Sequence, residues 1–456
     1  MPGFKLLLAD ERGRVVEHPW LLATVRSDDV VLAAPDGPIP LPEGGKLARL
    51  PGRLPVGVDP TSGELVLVRD FELDGQRFAP QAVGAVLPPG FTRTYLPGEV
   101  KEAGQSLPQW AYTAAAFGPN GPVVWALRTD RRSHWDPPRF NTAEVPRLVK
   151  EGLGRFPENT VLQQLRTCAL VYRCFTSQNI FYGRDEGGLP SSVTCNARCV
   201  GCISSQPEGG APASHERMAR GPTAEELAEV GAWHLGRAAG RAMISFGQGC
   251  EGEPLTRWKI LAKATRLIRA TTSRGSINLN TNGSLTVGLE ALLDAGLDAV
   301  RVSLNSASPE LYRAYYRPRH FDWEDVERSI ALARRRRAFV ALNLLMFPGV
   351  TDRKGEVEAL ERLVRRYRVD QLQTRSLAID PLDYIELASE RGAGGEPVGI
   401  PAMLRHLKKK APWLVIGNFA RGLAERTQSK RNGTPTKGGK PESRPRLAIA
   451  NLSKLR

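Results

Sequence analysis

The 456-residue sequence contains no run of about 18 consecutive apolar residues, which is the length that a membrane-spanning helix needs. Its opening apolar stretch, Phe4–Ala9, is too short for the hydrophobic segment of a signal peptide. Cysteine is also scarce, with six in the whole chain. We therefore expect a cytoplasmic protein whose cysteines are reduced and free to bind metal.

Acidic residues are few at the C-terminal end. Residues 421–456 contain ten basic and two acidic side chains, so they carry more than half of the net charge of +15. The rest of the chain is therefore not strongly basic. The composition of residues 421–456 predicts a disordered, basic tail. Such a tail is usually solvated, and weak binding to nucleic acid or to an acidic protein is the alternative.

The first 188 residues predict two units. Residues 1–130 combine short apolar runs with Gly and Pro turns, and the pair Asn120-Gly121 predicts a hairpin, so a small β-rich domain is expected. Residues 131–188 predict a helical connector, with an apolar helical stripe over residues 159–172.

The following residues predict alternating strands and helices, and then a helical extension over residues 381–420. Parallel strands need crossover connections, so six βα repeats predict an α/β fold with a parallel sheet. The six strand candidates are Leu189–Thr194, Ala242–Gly247, Ser276–Thr281, Ala299–Leu304, Phe339–Phe347 and Gln371–Leu377.

Three cysteines lie within eight residues: Cys195, Cys199 and Cys202 have the spacing C-x3-C-x2-C. Thiolates are soft ligands that suit iron–sulfur clusters or zinc. A four-iron cluster held by three cysteines keeps one iron open for a substrate. A structural zinc site is the alternative, but it needs four ligands, and the sequence has no second pair of the usual kind.

The other three cysteines are scattered. Cys168 lies on the apolar stripe of the predicted helix, which is typical of a small buried residue. Cys168, Cys174 and Cys250 together would make an auxiliary cluster, although three ligands fall short of the usual four. Cys250 alone is compatible with an inert neighbour of the first cluster, a redox-active thiol or a hydrogen donor to a substrate radical.

The C-x3-C-x2-C segment resembles the signature of the radical S-adenosylmethionine (SAM) superfamily, although Gly201 stands where relatives usually have an aromatic residue. The resemblance implies a partial (β/α)6 TIM-like barrel over residues 189–380, a [4Fe-4S] cluster on the three cysteines, and SAM on the open iron. It implies reductive cleavage of SAM to a 5′-deoxyadenosyl radical that abstracts hydrogen from a substrate. An electron donor such as a flavodoxin or ferredoxin is the implied partner.

Four further segments, each after a predicted strand, resemble SAM-binding elements of the superfamily, with Glu251 replacing the first glycine of a Gly-Gly-Glu-Pro element. The resemblance implies that Glu253 binds the amino group of SAM, that Ser303 and Asn305 bind its carboxylate or ribose, and that the segment after the fifth strand shapes an adenine pocket. The residues implied to bind SAM are Gly252, Glu253, Pro254, Asn280, Asn282, Ser303, Asn305, Pro348 and Gly349.

The substrate is not evident from the sequence. Gln371, Gln373 and Arg375 share one face of the sixth strand, and Gln373 and Arg375 would bind substrate if that face points inward; the outward orientation is equally compatible. The chain lacks the seven-cysteine extension of many peptide-modifying relatives, and its basic tail suggests RNA modification as another alternative. A zinc-stabilised binding module without catalysis is the alternative from a different class.

Overall fold

The structure is a computed structural model that describes residues 3–102, 106–206, 211–238 and 241–422. Short apolar runs separated by Gly and Pro turns give the N-terminal part its strands. These strands are β1 Lys5–Ala9, β2 Val15–Ser27, β3 Val30–Ala33, β4 Ile39–Pro40, β5 Lys46–Leu50, β6 Arg53–Val58, β7 Leu65–Leu67, β8 Phe71–Leu73, β9 Gln76–Phe78, β10 Gln81–Val86, β11 Phe91–Arg93, β12 Leu96–Pro97, β13 Glu99–Lys101, β14 Tyr112–Gly118, β15 Gly121–Val124 and β16 Ala126–Arg128.

Twelve of these strands form one antiparallel sheet around the order β13-β6-β2-β1-β10-β14-β15-β4. The predicted hairpin is confirmed, because β14 pairs with β15 and Gly118 lies opposite Gly121. Gly121 has a φ of 112°, a backbone conformation that L side chains rarely adopt. The predicted β-rich unit is therefore confirmed as an antiparallel assembly.

The remaining chain contains helices followed by alternating strands and helices. The elements are α1 Val145–Arg155, α2 Thr160–Leu170, α3 Phe175–Tyr182, β17 Glu186–Leu189, α4 Ala224–Arg237, β18 Met243–Phe246, α5 Trp258–Thr271, β19 Ser276–Thr281, α6 Thr286–Asp294, β20 Ala299–Leu304, α7 Pro309–Tyr316, α8 Trp323–Arg335, β21 Phe339–Met346, α9 Lys354–Arg366, β22 Gln371–Ser376, α10 Pro381–Arg391, α11 Ile400–Lys410 and β23 Val415–Gly417.

Strands β17 to β23 form one parallel sheet in chain order, the arrangement of a half-barrel. Its outer face is apolar and packs against the helices, which makes the largest hydrophobic core of the described chain. The α/β fold class and the partial barrel are therefore confirmed. Within the described ranges, none of the helices combines the length and the hydropathy that a membrane crossing requires.

The first predicted strand, Leu189–Thr194, has the wrong bounds, because β17 ends at Leu189. Pro190 has no N–H, and the N–H groups of Ser191 and Ser192 donate to the Glu251 carboxylate instead of a neighbouring strand. The sequence analysis also missed the seventh strand, β23, whose three residues are too few to show a period. Since the sheet begins at Glu186 and ends at Gly417, it is wider than residues 189–380, and the predicted division of the chain into units stays a prediction.

The β-rich unit is attached to the barrel by buried charged groups. Arg53 is fully buried, and its Nη2 lies 2.5 Å from Asp380 Oδ2 beside α10. Arg93, also fully buried, donates to the carbonyl of Leu377 at 2.7 Å. The β-rich unit therefore packs against the carboxyl end of β22.

Candidate active site

The loop after β17 brings Cys195, Cys199 and Cys202 together. All three are free and half-buried. Burial raises the pKa of the Cys199 thiol well above its usual range, and the nearby Cys195 and Cys202 raise it further. Three soft thiols in mutual electrostatic contact match the donor set of a four-iron cluster that keeps one iron for another ligand. The residues present therefore fit the cluster that the sequence predicts.

The end of α7 holds this loop in place. The N–H groups of Arg198 and Val200 donate to the carbonyls of Tyr316 and Tyr315 at 3.0 and 2.9 Å. The last carbonyls of a helix have no partner within the helix, so they are available to a neighbouring segment. The cysteine loop is thus held by backbone hydrogen bonds to a helix from the middle of the sheet.

Tyr315 is a site residue that the sequence analysis missed. A Cβ atom at Gly201 would lie 2.8 Å from Tyr315 Oη and 3.3 Å from its Cε2. The tyrosine therefore occupies the space next to Gly201, the residue before the third cysteine. The only signal in the sequence was Gly201 itself, which did not indicate which distant residue fills the space.

The Gly252-Glu253-Pro254 segment runs directly beside the start of the cysteine loop. The N–H of Gly252 donates to the carbonyl of Ser192 at 2.9 Å, and that of Glu253 donates to the carbonyl of Thr194 at 2.8 Å. A Cβ atom at position 252 would lie 2.0 Å from the Thr194 oxygen. Glycine is therefore needed there for the two segments to approach each other.

The carboxylate of Glu253 joins this segment to the turn after β19. Its Oε1 accepts hydrogen bonds from Thr281 Oγ1 and the N–H of Leu255, and its Oε2 accepts from the N–H of Asn282 at 2.8 Å. Burial raises the pKa of Glu253 to about 7 despite these donors. Both oxygens thus have protein partners, and direct binding of SAM by Glu253 stays a prediction.

Asn280 and Asn282 lie beside these segments. Asn282 Nδ2 donates to Asn196 Oδ1 at 2.9 Å, and Asn196 Nδ2 donates to Ser284 Oγ at 2.9 Å. Asn280 Nδ2 donates to the carbonyl of Gly247 in the turn after β18. The turns after β17, β18 and β19 are therefore cross-linked at the carboxyl edge of the sheet.

Ser303 and Asn305 lie in different surroundings. Ser303 Oγ accepts a 3.4 Å hydrogen bond from Asn343 Nδ2 on the inner face of the sheet. Asn305 is buried between helices, where its Nδ2 donates to Tyr384 Oη at 3.0 Å and to the carbonyl of Leu311 at 3.3 Å. The structure therefore separates these two predicted SAM-binding side chains.

Pro348 and Gly349 are buried at the contact with the β-rich unit. Gly349 has a φ of 87°, and a Cβ atom there would lie 1.8 Å from the backbone N of Asp28. Arg353, four residues later, forms a bidentate ion pair with Asp28 at 2.7 and 2.9 Å. These contacts give Gly349 a role between the two units, and a role in an adenine pocket stays a prediction.

The inner face of the sheet is polar, whereas the outer face is apolar. Glu186 on β17 accepts a hydrogen bond from Ser245 on the adjacent strand β18 at 2.6 Å, and one from Arg301 on β20 at 2.8 Å, across the two intervening strands. Inner-face residues on neighbouring strands are paired as Ser245 with Asn278, Asn280 with Arg301, Ser303 with Asn343, and Asn343 with Gln373.

Gln373 and Arg375 point to this inner face. Gln373 is fully buried, and neither of its side-chain amide atoms has a hydrogen-bond partner among the described residues. Arg375 Nη1 donates to Asn418 Oδ1 at 3.0 Å, and burial, followed by the charge of Arg301, lowers its pKa to about 10. Of the two orientations left open by the sequence, the inward one is therefore the one in the structure.

A cavity of about 580 Å3 lies beside the cysteine loop. Cys199 and Cys202 line one side, and Leu107 and Gln109 of the β-rich unit line another. The N–H of Leu107 donates to Asp380 Oδ2 at 2.8 Å, which fixes that part of the β-rich unit against the barrel. The β-rich unit therefore reaches the immediate surroundings of Cys199 and Cys202.

The family model of the Radical SAM superfamily matches residues 189–364. The GTP 3',8-cyclase of Heliobacterium modesticaldum is 32% identical over 194 residues, which cover 41% of this chain and 54% of that protein. The GTP 3',8-cyclase of Streptomyces coelicolor is 31% identical over 180 residues, 38% of this chain and 48% of that protein. The chain spans about half the length of the curated relatives it matches.

Solved structures give weaker matches. A radical SAM methyltransferase from Sphaerobacter thermophilus aligns with a TM-score of 0.36 and 16% identity, covering 50% of this chain and 65% of that one. Methylornithine synthase aligns with a TM-score of 0.35 and 14% identity, covering 60% of this chain and 74% of that one. The family match, rather than these alignments, favours an iron–sulfur site over the zinc-stabilised module.

Proposed function

We propose, because residues 189–364 match the family model of the Radical SAM superfamily, that the protein uses SAM and a [4Fe-4S] cluster to abstract hydrogen from a small polar substrate. The observation that carries the proposal is the position of three thiols on one loop, beside the carboxyl edge of a parallel sheet with a polar inner face. Catalysis in barrels of this type takes place at that edge.

In this proposal Cys195, Cys199 and Cys202 hold the cluster, which when bound supplies the electron that cleaves SAM reductively. The protein's part is to hold and orient the reactants and to exclude competing reactions. The carbonyls at the end of α7 fix the cysteine loop, and Gly252 lets the neighbouring segment approach it. The buried Arg53–Asp380 ion pair fixes the β-rich unit against the barrel on this side of the site.

The substrate would lie on the polar inner face. Gln373 supports this proposal, since a fully buried amide without partners gains hydrogen bonds when a polar ligand arrives. Asn343 Oδ1 on the adjacent strand also lacks a partner among the described residues. A substrate with hydrogen-bonding groups suits these side chains better than an apolar one.

A nucleotide is a second candidate substrate class. The curated relatives are GTP 3',8-cyclases, and this chain has two arginines, Arg301 and Arg375, on the inner face. Guanidinium groups bind phosphate oxygens well. Consumption of GTP by the reduced, SAM-loaded protein would support this candidate, and turnover of SAM without change in GTP would count against it.

The remaining proposals concern partners and location. A flavodoxin or ferredoxin would supply electrons, because the chemistry of the superfamily needs a reductant, and such partners fit a cytoplasmic protein. An RNA substrate bound through the basic tail involves residues 421–456, of which all but the first two lie outside the described residues. Unchanged RNA affinity after deletion of residues 421–456 would contradict that alternative.

The decisive experiment is anaerobic reconstitution with iron and sulfide, followed by reduction with dithionite in the presence of SAM and assay of 5′-deoxyadenosine. The wild-type protein should form 5′-deoxyadenosine. Each of the variants Cys195→Ala, Cys199→Ala and Cys202→Ala should lose this activity. Ser205→Ala, an exposed position beside the loop, is the matched control and should keep it. Absence of 5′-deoxyadenosine from a brown, reducible wild-type protein would overturn the proposal.

Replacement of Glu253 tests the SAM site. Glu253→Ala should weaken SAM binding by about tenfold or more, as expected for loss of a hydrogen-bonding group, while iron per chain stays unchanged. Calorimetric titration of the reconstituted protein with SAM measures the SAM affinity, and iron analysis measures the iron per chain. Glu253→Gln keeps one acceptor oxygen, so its SAM affinity should lie between those of the wild type and of Glu253→Ala. Loss of iron with unchanged SAM affinity would instead make Glu253 a purely structural residue.

A further inference from the structure

Arg217 is a half-buried charged residue beside the cysteine loop. It lies 15 residues after Cys202, outside the motif, in a segment that forms neither helix nor strand. Its guanidinium Nη2 donates to Cys202 Sγ at 3.8 Å. The side chain therefore reaches one of the three thiols that are proposed to hold the cluster.

The other nitrogens of the guanidinium also bind the cysteine loop. Nε of Arg217 donates to Ser204 Oγ at 3.0 Å, and Nη1 donates to the carbonyl of Val193 at 3.2 Å. Ser204 Oγ in turn lies 3.7 Å from Cys202 Sγ. Because a guanidinium presents its donors in a fixed planar fork, one group joins the segment before the first cysteine to the segment after the third.

The backbone near Arg217 fixes the position of this side chain. The N–H groups of Ser214 and His215 donate to the carbonyl of Ile203 at 2.9 and 3.2 Å. The ring of His215 packs against the ring of Tyr172, with 4.5 Å between the ring centroids. The segment that carries Arg217 is therefore attached both to the end of the cysteine loop and to the chain that follows α2.

The charge of Arg217 is directed at the cysteine loop rather than at a carboxylate. Every hydrogen bond that its side chain makes among the described residues goes to this loop, and within the same ranges it forms no ion pair with Asp or Glu. Arg301, on the inner face of the sheet, is instead paired with Glu186 at 2.8 Å. A cation without a carboxylate partner is favoured beside groups that become negative, as thiols do when they bind a metal.

The other thiols near Arg217 do not offer a second cluster. Cys168, Cys174 and Cys250 line a cavity together with Arg217, but its volume is about 30 Å3, close to that of one water molecule. In the described part of the chain, this cavity has no room for the auxiliary cluster that the scattered cysteines left open. The thiols of the cysteine loop are therefore the ones whose negative charge Arg217 can offset.

We propose that Arg217 is a positioning residue of the cluster site. It holds the two ends of the cysteine loop together through Val193 and Ser204, and its charge stabilises the reduced form of a cluster bound through Cys202. When a reductant gives one electron to the cluster, the site becomes one unit more negative, and a nearby cation favours that form. This inference rests on the proposed function, because it needs the cluster on the three cysteines, but it does not need cleavage of SAM.

The test is a redox titration of the anaerobically reconstituted full-length protein, with the reduced cluster measured by electron paramagnetic resonance. Arg217→Gln removes the charge and keeps an amide donor, whereas Arg217→Lys keeps the charge and loses the fork. Arg217→Gln should weaken the reduction equilibrium about tenfold, which is a potential about 59 mV more negative for one electron. The potential of Arg217→Lys should stay close to that of the wild type.

The rate of iron release to a chelator measures how firmly the loop is held. Both variants should release iron faster than the wild type, because neither side chain presents the fork that joins Val193 to Ser204. Arg220→Gln is the matched control, since it makes the same change of charge three residues away. Arg220 is 54% exposed and is paired with Glu226 at 2.8 Å, so this variant should keep the wild-type potential and the wild-type rate of iron release.

Equal potentials in the wild type and Arg217→Gln, or the same shift in Arg217→Gln and Arg217→Lys, would overturn the proposal and make Arg217 a purely structural residue. If Arg217→Gln retains no iron, retention by Arg217→Lys would support a need for the charge, and loss in both would count against it. The expected shift of potential in a protein that forms no 5′-deoxyadenosine would overturn the proposed function alone. A wild-type protein that assembles no cluster would overturn both.

Discussion

Gly201 lies in the cysteine loop, and the space available at this position is set by a side chain that is distant in the sequence. The space that a larger residue would need is taken by Tyr315 from α7. The ring of Tyr315 is buried, with an exposed fraction of 2%. The glycine and the tyrosine therefore have to be considered as a pair.

We expect Gly201→Phe to lower both iron retention and thermal stability, since overpacking a filled site costs about 1–3 kcal/mol. Iron per chain and the thermal unfolding midpoint measure the effect. Tyr315→Ala alone should also destabilise, by about 2–4 kcal/mol, because it leaves a cavity. The double variant Gly201→Phe, Tyr315→Ala should recover iron retention relative to Gly201→Phe. Additive losses in the double variant would show that the two residues do not share the space.

At the scale of elements, the site is a set of turns connected across the carboxyl edge of the sheet. The cysteine loop is hydrogen-bonded to the turn after β19 through Asn196 and Asn282, and to α7 through backbone groups. Each contact joins segments from different βα repeats. The geometry of the three thiols therefore depends on the packing of the whole half-barrel.

Asn196→Ala should reduce iron retention and destabilise the protein by about 1–3 kcal/mol. The variant removes the group that bridges Asn282 and Ser284 and leaves their polar atoms without that partner. Reconstituted iron content and urea unfolding measure the two effects. Gln163→Ala, which removes an exposed hydrogen bond to Pro157, is the control and should change neither by much. Equal effects from both variants would refute a special role for Asn196.

At the scale of the whole molecule, buried charges connect the β-rich unit to the barrel. Arg53, Glu99 and Asp380 are all at most 1% exposed and form one ionic group between the two parts. Such groups are weak evidence of net stability, but the loss of one member leaves an uncompensated buried charge.

We therefore expect Arg53→Met to destabilise the protein by about 3–5 kcal/mol, because Asp380 and Glu99 lose their shared cation. Chemical denaturation measures this cost. Arg69→Met is the control, because it removes an exposed ion pair: the side chains of Arg69 and Glu102 are 60% and 49% exposed. This variant should lower the free energy of unfolding by no more than about 1 kcal/mol. A similar cost for the two variants would mean that the interface tolerates the unpaired carboxylates.

Much of the half-barrel was predictable from the sequence, because strand and helix periods depend on neighbouring residues. Strands β19 and β20 have the predicted bounds. The prediction was wrong at β17, where Ser191 and Ser192 donate to the distant Glu251 rather than to a strand. It also missed β23, which is a strand only because it pairs with β22.

The sequence by itself determined the three-cysteine spacing, the alternation of strands and helices, and the match of residues 189–364 to the Radical SAM family model, since all of these are patterns along the chain. Tertiary structure alone decided that Gln373 points inward, that Tyr315 fills the space at Gly201, and that Cys168, Cys174 and Cys250 line one cavity. The physical reason is that these relations join segments far apart in the chain, and only the packing of the helices on the sheet sets the distance between them.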